Sequence, residues 1–487
     1  MNYKALQFIK PFWVLMAAGV ILTGSFYIAH ADELPDLGDI SAATLSPLQE
    51  RQIGDQILRE VATSPQVVQD AEISDYIANI GAKLVENGPD QRQQFDFFVV
   101  QDNSINAFAM PGGVIGVHTG LILAANTESE VAGVLGHEIG HVTQRHLARM
   151  MASQKYDTFK NLAGVALALL VSRSNPQLAS GALMTSSAIG IQNQLDYTRE
   201  HEREADRIGL QILQSGGFDV RGMPAFFTTL QRSSRLSEGN TPGFLRTHPL
   251  TSERIADVAN RVDKLPYKQV ADSPEFLYVR AKLRALEGSP DNMIAVFEDN
   301  IAEKRYTSAA AEHYGLAVAY LRKNAYVKAA QEVDWLEKNA PPHAMFATLK
   351  AQLLVAQNNP QRAGEYFAQA IKRYPDSRAL MYGYAAHLIA LRQNAQAIQL
   401  IKDKLLLYPK DPHSYELLAK AYAAQNKNLL SHAALGEAHA RQYNTARALE
   451  QMEIAIKEKD GDFYERSIVE ARLKQLRQQL ESETKKS

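Results

Sequence analysis

Two histidines and a glutamate are the residues of this sequence with the clearest chemical potential. They stand in the stretch VLGHEIGHVTQRH, where His137 and His141 are four residues apart and Glu138 directly follows the first histidine. On a helix, residues four apart lie about 6 Å from one another on the same face, so both imidazoles can bind one metal ion. Glu138 points to the adjacent side, where its carboxylate can hold a water on that ion. The spacing therefore predicts a zinc site that activates water for hydrolysis.

A catalytic zinc site needs a third protein ligand and leaves a further position for water. The stretch does not supply a third histidine, because Gln144 and Leu147 stand where one class of zinc proteases has glycine and histidine. His146 is one residue off and near the far side of the same helix, so we expect it to be a polar surface residue. A second helical segment, YTREHEREADRIGLQIL, offers Glu202 as the third ligand and, one turn later, Asp206 as acceptor for the back nitrogen of a ligating histidine. Taken alone, this charged segment also fits a solvated helix face.

The surrounding sequence predicts the elements that hold these residues. Helical apolar spacing predicts two helices before the motif, and two further runs predict strands separated by a sharp Pro-Gly-Gly turn. The expected ranges are 46–64 and 71–88 for the helices, and 95–102 and 112–122 for the strands. Thr127 caps the helix of the H-E-x-x-H motif, and we expect Glu130 to reach back to Thr127 in a capping box.

A period of 34 residues runs through the C-terminal half of the chain. Small residues recur at two fixed places and proline recurs at a third, in three series that share one period. The series are Ala317, Ala351, Ala385 and Ala419; Ala295, Ala329, Ala363 and Ala397; and Pro341, Pro375 and Pro409. Alanines let paired helices approach closely, and proline ends the second helix of each pair. The period predicts a solenoid of tetratricopeptide repeats, closed at its end by further helices with a polar face.

The N-terminus has the pattern of an export signal. A positive region with Lys4 and Lys10 precedes a long apolar run that ends in Ala29-His30-Ala31, and acidic residues follow. Small residues at these positions before acidic residues predict cleavage after Ala31 and an exported mature chain. The alternative is a membrane anchor that is not cleaved, because the apolar run is long enough to allow one.

Composition narrows the remaining possibilities. A length of 487 residues is too great for one core and predicts two to four domains. The chain has no cysteine, which excludes disulfides and cysteine-based metal sites. A formal net charge of −2 does not indicate a nucleic-acid partner. The apolar run at 162–171 is too short to cross a bilayer, so we expect a core helix or an active-site flap, with membrane-surface contact as the alternative.

Three motifs together resemble the HtpX-like family of zinc metallopeptidases. H-E-x-x-H occurs at 137–141, E-x-E-A-D at 202–206 and T-H-P-L at 247–250. The resemblance implies an α+β gluzincin-like metallopeptidase domain, followed here by the all-α tetratricopeptide-repeat solenoid. The family's membrane-spanning relatives have several long apolar helices that this sequence lacks, so we expect membrane contact to be peripheral at most. The expected division is a signal peptide over 1–31, a zinc metallopeptidase domain over 32–270 and a repeat domain over 271–487.

The resemblance also implies a role for each residue that matches the family's motifs. His137, His141 and Glu202 would bind one Zn²⁺ per chain. Glu138 would act as the general base toward the attacking water. Asp206 would serve as the carboxylate behind the metal ligands.

Two further segments match the family less specifically. Asn106, Ala107 and Ala109 match an edge strand against which an extended substrate can pair, and an ordinary core hairpin fits them equally well. His248 belongs to a His-Pro pair that the family often has, with Arg254 six residues later. This histidine either locks a turn or binds the zinc and holds the enzyme latent until a partner moves the loop.

The resemblance implies a periplasmic endopeptidase that takes part in outer-membrane protein assembly and quality control. The expected partners are outer-membrane β-barrel proteins and their assembly machinery, held by the repeat domain, and no nucleic acid. One alternative is a periplasmic chaperone or scaffold with a structural zinc site, which an intact Glu138 disfavours. Another is a hydrolase that acts at a membrane surface, which the apolar 162–171 run suggests.

Overall fold

The computed structural model describes residues 45–88, 93–153, 199–236 and 242–484. The expected signal peptide and the apolar run at 162–171 lie outside these residues. Within the described ranges, no helix combines the length and the apolar character needed to cross a membrane.

Two helices precede the sheet, and both begin at a side-chain cap. Helix α1 (Pro47–Thr63) starts after Ser46, whose hydroxyl accepts from the amide of Gln49 while the Gln49 side chain accepts from the amide of Ser46. Helix α2 (Ala71–Glu86) starts after Asp70, whose carboxylate accepts from two amides of the first turn. Both helices lie where the apolar spacing predicts them.

A three-stranded sheet packs against the helix that carries the H-E-x-x-H motif. Its strands are β1 (Asp96–Val100), β2 (Ala107–Met110) and β3 (Val114–His118), in the order β1-β3-β2. Strand β1 runs parallel to β3, and β2 runs antiparallel to β3 at the edge of the sheet. The edge strand therefore lies between the two strands predicted from the sequence, directly before the Pro-Gly-Gly turn.

The strand expected over 112–122 is too long, because helix α3 (Thr119–Ala124) begins where β3 ends. The hydroxyl of Thr119 and the amide of Gly120 both donate to the carbonyl of Asp102, each at 2.9 Å. These long-range bonds turn the chain out of the sheet. The apolar run TGLI consequently folds as a helix, although its composition also suits a strand.

The motif lies on helix α4 (Glu128–Thr143), which Thr127 caps by accepting from the amide of Glu130 at 3.3 Å. The expected capping box is wrong in its second half. The carboxylate of Glu130 accepts from the amide of Asn126 at 3.0 Å rather than from Thr127. The Glu130 side chain thus accepts from the amide one residue before the one that a capping box would use.

The chain turns sharply where the motif helix ends. Arg145 has a left-handed φ of 53°, which costs a residue with a β-carbon about 1–2 kcal/mol. Its guanidinium holds the turn, because it donates to the carboxylate of Glu50 at 3.1 Å and to the carbonyl of Leu45. Helix α5 (His146–Ser153) begins directly after this turn.

Glycines let two helices touch backbone to backbone. Helix α6 (Arg199–Ser215) carries Glu202 and packs along α4. A β-carbon at Gly140 would lie 2.9 Å from the carbonyl oxygen of Ala205, and one at Gly136 would lie 3.0 Å from another carbonyl oxygen of α6. Neither position has room for a larger residue without a backbone shift. This approach brings Glu202 to the two motif histidines.

Three short helices complete this part of the chain. They are α7 (Gly222–Leu236), α8 (Gly243–Thr247) and α9 (Ser252–Val262). Helix α8 ends directly before His248, and α9 begins after a Thr251 cap that accepts from the amide of Arg254. The THPL segment therefore connects two helices.

Consecutive helix pairs build the C-terminal solenoid, as the period predicts. The pairs are α10 (Pro274–Leu286) with α11 (Pro290–Ala302), α12 (Ala309–Arg322) with α13 (Tyr326–Asn339), α14 (Ala344–Ala356) with α15 (Pro360–Arg373), α16 (Arg378–Ala390) with α17 (Asn394–Leu405), α18 (Pro412–Ala423) with α19 (Asn428–Arg441), and α20 (Thr445–Lys457) with α21 (Phe463–Thr484). The periodic alanines from Ala317 onward are buried. Ala295 is exposed, and its neighbour Ile294 is buried instead, so the first pair is out of register with the others by one residue.

One apolar cluster runs from the sheet and motif helix into the first repeats. It joins Ile77, Val117 and Leu135 with Phe276 and Tyr314. All described residues also belong to one compact unit, 41–487. The observed α+β part followed by helical repeats is the expected architecture, and the division after residue 270 stays a prediction.

Ion pairs join helix α2 to the repeats as well. Lys282 of α10 lies 2.7 Å from the carboxylate of Glu72, and Arg378 of α16 pairs with Asp75. Helix α2 therefore contacts two separate repeat pairs and ties the solenoid to the sheet.

Replacing Gly140 with alanine should force α4 and α6 apart. We expect the free energy of unfolding to fall by about 1–3 kcal/mol, because overpacking outweighs the helix propensity that alanine adds. The matched control is Gly364→Ala in α15, whose β-carbon would meet only the ring of His387, at 3.4 Å. Urea unfolding measures both variants. Equal stability of the two would contradict the account of the α4–α6 contact.

Candidate metal centre

Four buried side chains from separate elements meet at the α4–α6 contact. His137 and His141 come from α4, Glu202 comes from α6, and His248 follows α8. One nitrogen or oxygen atom from each lies within 4.8 Å of the other three. Their exposed fractions are only 1–3%. The structure thus brings together the three ligands predicted from the sequence and the conditional fourth.

The separations among these atoms match those of ligands around one ion. His137 Nε2 lies 3.0 Å from His141 Nε2 and 3.4 Å from His248 Nδ1. Glu202 Oε1 lies 2.9 Å from His248 Nδ1 and 3.3 Å from His141 Nε2. Ligands about 2.0–2.2 Å from a tetrahedral zinc are about 3.3–3.6 Å from one another. A small contraction or expansion of this cluster suffices for tetrahedral ligation.

The back nitrogens of both motif histidines face hydrogen-bond partners. His137 Nδ1 lies 2.9 Å from the carboxylate of Asp206, and His141 Nδ1 lies 2.9 Å from His146 Nδ1. Because a carboxylate only accepts, His137 carries its proton on Nδ1 and turns the lone pair of Nε2 toward the cluster. Imidazole lone pairs and a carboxylate at these separations fit a divalent metal ion.

Glu138 lies beside the cluster and is fully buried. Its Oε1 is 3.5 Å from His248 Nε2. Burial raises the pKa of the Glu138 carboxyl, and electrostatic interaction with the nearby imidazoles, chiefly that of His248, partly opposes this rise. A carboxylate whose pKa is raised is a stronger base than an exposed glutamate, which suits proton transfer.

Arg254 connects the two acidic residues of α6. Its guanidinium lies 2.6 Å from Glu202 Oε2 and donates to both oxygens of Asp206, each at 2.8 Å. A further donation to the carbonyl of Pro249 at 2.8 Å fixes the segment after His248. Burial acts to raise the pKa of Asp206, but the hydrogen bonds from His137 and Arg254 outweigh burial and lower it.

The segment with His248 is held from both sides. Its imidazole stacks on the ring of Phe244 with centroids 4.5 Å apart. The amide of Phe244 donates to the carbonyl of Ile105 at 3.1 Å, two residues before the edge strand begins. Burial acts to lower the pKa of His248, but Glu202 and Glu138 outweigh burial and raise it. The histidine therefore sits in a turn and in the cluster at once.

The expected substrate strand coincides with β2 and the residue before it. The carbonyl of Asn106 accepts from the amide of His118 at 3.0 Å, and Ala107 is fully buried opposite Val117. Ala109 is partly exposed. It lines a small cavity of about 20 Å³ that His141, Leu45, Met110 and Leu147 also line. Ala109 and Met110 are thus the β2 residues that line the same cavity as His141 of the cluster.

The expectation that His146 lies on the surface is wrong. Its side chain is fully buried, 2.9 Å from His141 and 3.0 Å from Glu204 Oε2. The helix ends before His146, because Arg145 turns the chain, so a helical wheel continued through this point misplaces the residue. Burial lowers the pKa of His146 to about 4, although Glu204 opposes this shift. At neutral pH its imidazole is uncharged.

Sequence reasoning gave Arg254 no role and did not single out Glu204. The H-E-x-x-H spacing contains no signal for either residue. The one sequence signal for Arg254 was its match to the family six residues after His248. A signal for Glu204 would have required knowing that the motif helix ends early.

Comparison with known proteins agrees with this arrangement. Residues 72–262 match the model of peptidase family M48, and residues 354–421 match a tetratricopeptide repeat model. The chain is 34% identical over 395 residues to a β-barrel assembly-enhancing protease of Yersinia pestis, which covers 81% of each chain.

Two relatives from Escherichia coli strain K12 extend the comparison. A protein also named β-barrel assembly-enhancing protease is 31% identical over 452 residues, 92% of each chain. The metalloprotease YcaL is 30% identical over 232 residues, which cover 46% of this chain and 85% of that one. The expected resemblance to metallopeptidases with tetratricopeptide repeats is confirmed. The chain therefore belongs to peptidase family M48, and it is a metalloprotease.

Proposed function

We propose that the chain is a zinc-dependent endopeptidase whose site residues act as the sequence predicts. The observation that carries this proposal is the buried cluster in which His137, His141 and Glu202 face one point, with Glu138 beside them. Two imidazoles and a carboxylate suit zinc better than the harder cations that prefer only oxygen ligands. One Zn²⁺ per chain is the proposed content.

Each residue then has a distinct task in peptide-bond hydrolysis. Bound zinc supplies a Lewis acid that polarises the scissile carbonyl and lowers the pKa of water toward about 7. Glu138 takes the proton from the attacking water at its carboxylate and delivers it to the leaving amine nitrogen. Asp206 holds the proton of His137 Nδ1, and Arg254 keeps the carboxylate of Asp206 ionised and in place.

His248 is proposed to hold the resting enzyme latent. Its Nδ1 lies with the atoms of the three other ligands, so on a bound metal it would take the position that a catalytic site keeps open for water. Its Nε2 lies 3.5 Å from Glu138, so the same ring also engages the general base. Movement of the segment between α8 and α9 would free both the metal position and the carboxylate of Glu138.

We propose that substrate chains bind in extended form along β2. An edge strand offers backbone groups for strand addition, and Ala109 and His141 line one small cavity together. In this arrangement Asn106 and Ala107 hold the strand in the sheet, and Ala109 lies beside the bound chain.

The proposed setting is the periplasm, reached through the N-terminal signal. The names of the two long relatives describe proteases that enhance β-barrel assembly, and the repeats offer a concave surface for proteins. We propose that this chain likewise handles outer-membrane β-barrel proteins and their assembly machinery, assisting assembly and degrading misassembled clients.

The competing proposal is a chaperone or scaffold in which the metal is only structural. A structural metal site does not require a base beside it. Glu138 is fully buried and lies 3.5 Å from His248, so a potential base stands next to the ligand atoms. This position favours the peptidase. The membrane-surface alternative depends on the 162–171 run, which lies outside the described residues.

Replacing Glu138 with glutamine tests the peptidase proposal. The amide keeps the size of the side chain but cannot accept the proton, so we expect hydrolysis of an unfolded protein substrate to fall by about 100-fold or more. Metal content, measured by elemental analysis, should stay at the wild-type level. Retained cleavage in a metal-loaded variant would rule out Glu138 as the base and favour the scaffold proposal.

Replacing His248 with alanine tests latency. If the ring blocks the site by about 1–2 kcal/mol, its removal should raise peptide hydrolysis by about 5- to 30-fold. Glu253→Ala, an exposed position at the start of α9, is the matched control and should leave the rate unchanged. Unchanged rates for His248→Ala, with and without a protein that binds the repeats, would show that the histidine only locks the turn.

A further inference from the structure

We infer that His146 is a positioning residue that fixes His141 in the tautomer able to bind the metal. The inference rests on the proposed assignment of His141 as a metal ligand. It gives His141 a partner equivalent to the one that Asp206 provides for His137.

Three side chains, those of His141, His146 and Glu204, form a series of hydrogen bonds that leads away from the cluster. His141 Nε2 faces His137 and Glu202, and its other nitrogen, Nδ1, lies 2.9 Å from His146 Nδ1. His146 Nε2 in turn lies 3.0 Å from Glu204 Oε2. The inner members are buried, while Glu204 is partly exposed and also pairs with Arg149 at 2.8 Å.

The positions of the protons in this series of hydrogen bonds follow from Glu204, its outermost member. Glu204 is paired with the guanidinium of Arg149 at 2.8 Å, so its carboxylate is ionised and only accepts hydrogen bonds. His146 must therefore carry a proton on Nε2, which leaves its Nδ1 as an acceptor. His141 must then donate from Nδ1, and its Nε2 lone pair points toward the metal ligands. The arrangement leaves the nitrogen that faces the metal without a proton.

The local fold places His146 for this contact. A straight continuation of α4 would carry residue 146 away from residue 141, since five residues exceed one helical turn. The left-handed Arg145 folds the chain back, and its bonds to Glu50 and the Leu45 carbonyl hold that conformation. The strained left-handed conformation of Arg145 thus occurs where it places the acceptor nitrogen of His146 beside His141.

A purely structural role for His146 makes a different prediction. The ring also stacks on His201, with centroids 4.5 Å apart, and fills buried space. If filling were its role, any residue of similar shape would serve equally. If its role is to accept the His141 proton, only a residue with an acceptor at the δ position can replace it.

Asparagine and leucine at position 146 separate these two roles. They have nearly the same shape, and both lose the contact with Glu204 and the stack on His201. Asparagine alone keeps an acceptor oxygen where His146 has Nδ1. We expect His146→Leu to weaken zinc binding by about 10- to 100-fold, as loss of a partner behind a metal ligand does elsewhere, and His146→Asn to stay within about 3-fold of wild type.

The full chain is titrated with zinc against a competing chelator, and the visible absorption of the Co²⁺-substituted protein gives a second readout. We expect the absorption bands to shift in His146→Leu and to match wild type in His146→Asn. Equal zinc affinity in both variants, whether retained or lost, would overturn the inference. If the wild-type chain itself binds no zinc, the proposed function fails instead.

A second pair of variants keeps the test independent of core packing. Glu204→Ala removes the residue that fixes the His146 tautomer, and Arg149→Ala removes only the outer partner of Glu204. We expect about a 3- to 10-fold loss of zinc affinity in the first variant and no change in the second. Equal affinities for the two would also overturn the inference.

Discussion

Helices α4 and α6 touch through Gly136 and Gly140, and the metal centre depends on this contact. The glycines remove the side chains that would keep the two backbones apart, so Glu202 reaches the imidazoles of α4. The sheet and the repeats support this helix pair. The sheet packs against α4, and the repeats share the apolar core that supports the sheet.

The contact between the two helices also brings several carboxylates together in a buried space, where an unpaired charge costs free energy. Glu138, Glu202 and Asp206 bring three carboxylates into one buried space, and Arg254 supplies a positive charge to two of them. Buried ions are tolerated only when they are paired and hydrogen-bonded. A divalent cation among the histidines would balance the remaining negative charge. The same reasoning explains why His248, which can itself become charged, is stable beside Glu202 and Glu138.

The sequence predicted the parts of this site that depend on local spacing. H-E-x-x-H and E-x-E-A-D place residues on helices by period alone, and the structure brings His137, His141 and Glu202 together as expected. The 34-residue period likewise located the solenoid, because the alanines from Ala317 onward occupy buried positions in successive helix pairs. The likeness to M48 peptidases supplied the reason to consider His248.

Long-range contacts account for what the sequence did not show. His146 was misplaced because Arg145, tied to Glu50 about a hundred positions earlier, ends the helix. The strand expected through Ile122 stops early because Thr119 bonds to Asp102. Neither partner can be identified from periodicity, since each bond joins segments that only the folded chain brings together.

The most direct test of the central claim is the metal content of purified protein, measured by elemental analysis after exposure to zinc. Wild type is compared with Glu202→Ala and with Glu200→Ala, an exposed neighbour on the same helix. The account predicts one zinc per chain in wild type and in Glu200→Ala, and much less in Glu202→Ala. Wild-type zinc content in Glu202→Ala would contradict the assignment of the third ligand and, with it, the proposed metal centre.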